Sequence, residues 1–409
     1  LIFEEKIFRE TTNNGVLNMQ KRLVRVAEPV LDLEAGSTVN RRYPRLTDLR
    51  SAVLKLDRNE MTTAPSPKVI EALHKAIATR PLNLYPDSDA EDLRIKISEY
   101  VALSPDYISC FGADDMALDN IVRTYLDRDT EIIVNSSHFS HIRHAAATVG
   151  ARVVDVYHDD PFKPEIESLI DKVGPRTRMI YISNPDDSSG AMFGDAEIVF
   201  LLAYAERIMV VVDEAYFEYS GVSVAELTRR FSNLAVVRSF SKAFGLAALK
   251  ASYVISDPDN LDFIGRIRHA ESIGMPDQVA ATAALDDLDH TRGYRAEIGR
   301  SKEILRASLP QLGYEFSVSP ANFLLLKVSY PAEAAEALQQ EGILVQSLDR
   351  INRLEDYLRI TIGTPDQMDR LLLALGRIAD RFATAFNRNR LIARADTAIR
   401  KNRKTVIVR

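Results

Sequence analysis

VVVDEAYFEYSG (210–221), followed by VVRSFSKAFGLAALK (236–250), decides how this chain is read. The run IMVVV (208–212) is short, apolar and β-branched. It lacks the alternation of a half-exposed strand, so it reads as a strand covered on both faces. Asp213 follows at its carboxyl end, where sheets built from βα units place ligand-binding groups; taken alone, an acid there is more often structural. The second run, LAVVRS (234–239), ends in Ser239-Phe240-Ser241-Lys242, with Gly245 and Lys250 beyond it. Two hydroxyls and two ammonium groups on one turn, without flanking carboxylates, suit a phosphate. A lysine in that place, desolvated beside other cations, can act as an imine-forming nucleophile.

Working outward, the same kind of strand recurs as EIIV (131–134), RVVDVY (152–157), MIYIS (179–183) and ASYVIS (251–256), separated by helical stretches such as Ala196–Arg207. This βαβα alternation predicts an α/β fold with a mainly parallel sheet between helices. Upstream, Pro67–Arg80 reads as a helix with Pro at its start and Val69, Ile70, Leu73 and Ile77 on one apolar face. After about residue 297 the pattern changes: helix 296–309, strand NFLLLKV (322–328), helix 332–341, strand YLRITIG (357–363) and helix 365–383 describe a smaller C-terminal α+β domain. The expected organisation is an arm at 1–52, a large domain with its N-terminal segment at 53–296, a small domain at 297–386 and a basic tail at 387–409. The arm mixes nine basic with seven acidic residues and has no period; the tail carries eight basic residues against one acidic. A solvated terminus is the simpler reading of that tail.

Composition sets the outer bounds. With 409 residues, 46% of them hydrophobic, and a net charge of −6, collagen-like and disordered classes are excluded and two or three sizeable cores are expected. A lone Cys110 forms no internal disulfide, which points to a reducing, cytoplasmic setting. LIFEEKIF is no secretory signal, no run of 18 apolar residues occurs, and a mildly acidic chain is no generic polyanion binder, so neither a membrane nor a nucleic acid is expected as partner.

These residues carry a resemblance. RNEMTTAPSPKVIEAL (58–73), NLYPDSDAEDLR (83–94), FGADD (111–115), SNPDDSSG (183–190), DEAY (213–216), SFSKAFGLAALK (239–250), ANFLL (321–325) and LRITIG (358–363) occur in the order found in fold-type I, pyridoxal-phosphate-dependent aminotransferases of class I/II. The chain most resembles the histidinol-phosphate aminotransferase branch, over about residues 53–383. The resemblance implies pyridoxal 5′-phosphate held by Lys242 as an imine, with Lys242 also shuttling the substrate proton. Asp213 would pair with the pyridine nitrogen and keep the ring an electron sink. It implies Tyr216 on the phenolic oxygen, and Ser239, Ser241 and Lys250 on the phosphate, with the backbone N–H groups of Ala113 and Asp114 at a helix N-terminus. Lys250 stands where the family usually has Arg, so the charge remains and the bidentate geometry is lost. Phe139 would stack on the ring, Arg359 would clamp the substrate carboxylate, and Tyr85 would reach the neighbouring subunit's phosphate, making a homodimer.

The departures bear on substrate. Asp187 stands where the family's Asn donates to the cofactor's phenolate oxygen; either its carboxyl stays protonated, or it points elsewhere, or the imine is more basic than usual. Gln346 replaces the Arg that follows Gly-Ile-Leu-Val in the branch, and Thr63 replaces a pocket tyrosine. Both argue against histidinol phosphate and for an L-amino acid and its keto acid. The rival outcome on the same fold is elimination, cyclisation or decarboxylation of an amino acid. His138, His141 and His144 have the spacing of a ligand set, yet no Cys or paired carboxylate completes a metal site. His138 instead invites a substrate role. Asn322 suits either the substrate pocket or a strand-start hydrogen bond. Asp114-Asp115 reads as helix N-terminal charge.

Overall fold

The computed structural model describes residues 53–135 and 140–384. Seven strands form the larger sheet: β2 (Ile108–Phe111), β3 (Glu131–Asn135), β4 (Arg152–Asp155), β5 (Thr177–Ser183), β6 (Met209–Asp213), β7 (Leu234–Ser239) and β8 (Ser252–Ser256). Their spatial order is β2-β8-β7-β6-β5-β3-β4, with only β8 antiparallel to its neighbours. Period-2 alternation explains the burial of both faces. Ile180, Ile182, Val210, Val212 and Val236 enter one core, while Met179, Tyr181, Val211, Ala235 and Val237 enter the core on the opposite face. The strand β2, ISCF, was absent from the sequence expectation because four residues with one serine carry little pattern.

The helices that matter for the site begin with α1 (Pro67–Thr79), α2 (Glu91–Val101) and α3 (Asp114–Tyr125). Ser66 caps α1 by accepting from the Lys68 amide at 3.1 Å, and Pro67 occupies the first position, where its missing N–H costs nothing. The apolar stripe expected on α1 divides. Val69 and Ala76 are buried against helix Met275–Leu285, whereas Ile70 and Ile77 stay 43% and 54% exposed. They project about 100° round the helix from the packed line, which is why one face was too generous a description.

The second sheet has order β12-β13-β10-β9, antiparallel throughout, built from β9 (Glu315–Val318), β10 (Phe323–Lys327), β12 (Gln346–Ser347) and β13 (Tyr357–Thr361). An unbroken helix, Leu288–Ser308, runs through residue 296, and an amphipathic helix, Pro365–Phe382, closes one face with Leu371, Leu372, Leu375 and Ile378. The segment beginning at residue 53 divides from the body with which it was grouped. Strand β1 (Leu54–Lys55) pairs in parallel with β11 (Ile343–Leu344), so Leu54 and Leu56 bury in the core of this second sheet. The chain then crosses through 57–66 to the carboxyl ends of β6 and β7, joining the two sheets at the place where the singled-out residues lie.

Candidate active site

Asp213 is the last residue of β6, and its burial is nearly complete. Tyr181, on the adjacent strand β5, donates its hydroxyl to Asp213 Oδ2 at 2.8 Å, and the Ala215 amide donates to Oδ1 at 3.0 Å. Burial pushes this carboxyl up to about 7; the Tyr181 hydrogen bond opposes that rise, and the nearby Asp114 and Asp187 add to it. Three residues on, Tyr216 is buried, and its hydroxyl accepts from Asn59 Nδ2 at 2.9 Å. Lys242, just beyond β7, sets its Nζ 5.5 Å from the centre of the Tyr216 ring and donates to the Arg58 carbonyl at 3.3 Å. Gly245 holds the turn that follows at φ +72°, a conformation that favours glycine, and a Cβ there would also have to displace the Met61 side chain.

The start of α3 faces the same region. Ala113 is its N-cap in extended backbone and supplies no side-chain cap, while the Asp114 amide turns to its own carboxyl. Ser239 ends β7 and accepts from the Ser241 amide at 3.2 Å. Asp114 lies close enough to Lys242 for that ammonium to counter the upward push that burial and Asp115 give its carboxyl. Lys250, with its backbone at φ 55°, pairs with Asp115 Oδ2 at 3.1 Å. The cation cluster seen in sequence as free of carboxylates therefore has one in space, supplied by a helix more than a hundred residues earlier. His141 also turns to this acid, 2.9 Å from the Asp115 carbonyl.

The carboxyl-terminal end of β5 continues into Asp186 and Asp187. Asp186 Oδ1 accepts from the Ser188 and Ser189 amides and the Ser189 hydroxyl; burial, reinforced by Asp187, still pushes its carboxyl up to about 6. Gly190 closes this loop at φ +74°, where a Cβ would lie 2.4 Å from Ser319 Oγ. Asp187 meets Arg359 of β13: Nη1 donates to the Asp187 carbonyl at 2.6 Å and lies 3.6 Å from Oδ2. The guanidinium expected to await a substrate carboxylate thus already faces one from the chain itself. Gln346 stands opposite Arg359 in the β12–β13 register and donates to the Ser347 carbonyl.

Other singled-out residues fall at greater remove. Asn322, by contrast, is fully buried and donates to the Asn59 carbonyl at 3.0 Å, which ties it to the segment that holds Tyr216. Thr63 lines an open cleft with Met61, Pro65 and Tyr294. Tyr85 is 87% exposed and reaches none of these groups within its own chain. Phe139 and His138 lie outside the described residues, as do the arm and the tail.

Sequence reading missed two residues that organise the site. Asn59, buried with φ 55°, donates to Tyr216 and to Thr361 Oγ1, and accepts from Thr361 and Asn322. Its signal was its place in RNEMTT, read only as part of an entry motif. Tyr181 had a weaker signal, a hydroxyl-bearing aromatic between Ile180 and Ile182 in β5.

Comparison with known proteins adds to this geometry. A family model described as aminotransferase class I and II matches residues 51–375. Dihydroxyacetone phosphate transaminase of Campylobacter jejuni is 33% identical over 325 residues, covering 78% of this chain and 88% of the relative. Histidinol-phosphate aminotransferase of Roseiflexus castenholzii is 32% identical over 336 residues, covering 80% and 90%. Among solved structures, histidinol-phosphate aminotransferase of Sinorhizobium meliloti in complex with pyridoxal-5′-phosphate superposes with a TM-score of 0.78 at 24% identity, over 88% of this chain and 99% of that one.

Proposed function

The chain belongs to the class I and II aminotransferases, enzymes that use pyridoxal 5′-phosphate, and on that premise we propose that Lys242 carries the cofactor and Asp213, Tyr216, Ser239, Ser241 and Lys250 hold it. The observation that carries this reading is the convergence of Lys242, Tyr216 and Asp213 at neighbouring strand ends, beside the start of α3. The donor set fits the group. Asp213 is a buried acid among acids, and a protonated ring nitrogen would supply the cation it lacks. Two hydroxyls, an ammonium and the amides of Ala113 and Asp114 suit a phosphate.

The cofactor supplies an aldehyde that takes up the amino group and a ring that withdraws electrons from the reacting carbon. Lys242 Nζ would hold that aldehyde at rest and, once free, would serve as the base for the proton on the reacting carbon. Asp213 would keep the ring nitrogen protonated, and Tyr216, itself held by Asn59, would orient the phenolic oxygen. One substrate pair is an amino acid and its keto acid. Histidinol phosphate is disfavoured as the other, because uncharged Gln346 stands opposite Arg359 where a dianion would call for a second cation, and Thr63 offers no aromatic surface.

A homodimer completes this reading. Ile77, Leu82, Leu84 and Tyr85 are 54%, 68%, 64% and 87% exposed along one short stretch, an apolar patch suited to burial against a second copy. From there Tyr85 would reach the partner's phosphate site. The test of the central assignment is borohydride reduction followed by peptide mass mapping. The cofactor mass is expected on the peptide containing Lys242 and absent in Lys242→Ala; the same mass on another lysine would overturn the assignment.

A further inference from the structure

Arg359 is ringed by the chain's own oxygens. It is 8% exposed, its Nη1 donates to the Asp187 carbonyl at 2.6 Å and lies 3.6 Å from Oδ2, and Nη2 lies 3.5 Å from the Asp57 carbonyl. Among the described residues its Nε is buried without a partner. The Asp187 side chain remains 22% exposed, and its Oδ1 accepts from Ser188 Oγ at 3.2 Å. Asp186 and Asp213 stand close enough to Asp187 for each to feel its charge. A carboxylate arriving at this place would meet a guanidinium already matched by the Asp187 carboxylate. Like charges at such short range in a partly dry site are strongly unfavourable. A hydroxyl has the complementary set: it donates to Asp187 and accepts from Arg359.

We propose that Asp187 is a specificity-determining residue that cancels the charge of Arg359 and selects, for one of the two substrates, an amine or ketone whose reacting carbon bears a neutral hydroxymethyl group in place of a carboxylate. This rests on the reading that the Lys242 site carries the cofactor. The amino acid of the other half-reaction has to displace Asp187 from Arg359, so it binds the same place more weakly.

The test uses the cofactor-loaded enzyme and matched pairs that differ only at that substituent: alanine and alaninol, serine and serinol, leucine and leucinol. Each single half-reaction is followed by the cofactor's absorbance. In wild type, the alcohol of each reactive pair is expected to exceed its acid at least ~10-fold in kcat/KM, and Asp187→Asn is expected to move that ratio at least ~10-fold toward the acid. A second readout needs no turnover. Propionate binding, titrated through the absorbance of the bound cofactor, is expected to be at least ~10-fold tighter in Asp187→Asn than in wild type, since the substitution leaves Arg359 its charge. Asp187→Ser provides the same comparison should the Asn variant fail to load cofactor. Acids favoured in wild type, or an unchanged ratio and propionate affinity in both variants, would overturn the proposal. Failure of the underlying reading shows separately, as cofactor attachment that persists in Lys242→Ala.

Discussion

Asp213, Tyr181 and Asn59 show how single side chains set the chemistry here. An acid whose ordinary value is 3.8 is held at about 7 by burial and by its acidic neighbours. In the cofactor-free protein, between those two values, the folded state keeps a proton that the unfolded chain has released. Stability from this group is therefore present below pH ~4 and lost as pH rises toward ~7. Urea unfolding of the apoprotein from pH 4 to 8 should record that fall. The Tyr181 hydroxyl pulls the Asp213 carboxyl down, so Tyr181→Phe should raise it and extend the decline above pH 7; a pH profile identical to wild type would mean that Tyr181 does not govern Asp213. Asp213 was visible in the sequence because a strand followed by an acid is a local pattern. Tyr181 was not, since its role depends on β5 lying beside β6, which no local spacing states. Arg359 shows the opposite case: its type and place were read from sequence, but its pairing with Asp187 comes from residues 172 apart.

At the level of elements, the ends of β6 and β7 are locked together just behind the site. Glu214, one residue past Asp213, and Arg238, one residue before Ser239, form a buried ion pair at 2.9 Å, and the Glu214 amide donates to the Val237 carbonyl. Arg238 also lies 3.7 Å over the ring of Phe217, and Ser223 donates to Glu214 at 2.8 Å. Such a pair is costly to break, because removing Glu214 leaves Arg238 buried with its direct partner gone and Glu218 and Tyr253 left near it. Glu214→Ala should lower the unfolding free energy by about 3–5 kcal/mol and weaken cofactor retention, since Asp213 and Ser239 would lose their common anchor. A loss under about 1 kcal/mol in denaturant titration would contradict this account. Strands buried on both faces were legible from composition and length, as LAVVRS (234–239) illustrates, matched residue for residue by β7. The two-residue strands β1, β11 and β12 had no signature, because so short an element is defined by its partner rather than by its own side chains.

At the scale of the whole molecule, Tyr216, Lys242 and Arg359 meet where the two sheets are joined by the crossing segment 57–66, and exposed Leu82, Leu84 and Tyr85 lie open on the same polypeptide. If that patch is the dimer surface, Leu84→Glu should yield a monomer by sedimentation equilibrium, with activity reduced because Tyr85 no longer reaches a partner; an intact, fully active dimer would refute the assignment of that surface. The order of motifs made the overall fold legible along most of the chain. Which groups face the substrate was less so, for those contacts arise only when β5, β13 and residues 57–66 are brought together. The most direct test of the central claim, amino-group transfer at the Lys242 site, is to expose the loaded enzyme to candidate amines without any acceptor and identify the cofactor afterwards. Conversion to pyridoxamine 5′-phosphate in amounts matching the enzyme is the expected result. Pyridoxal 5′-phosphate retained while an amine is steadily consumed would contradict it and establish elimination, cyclisation or decarboxylation instead.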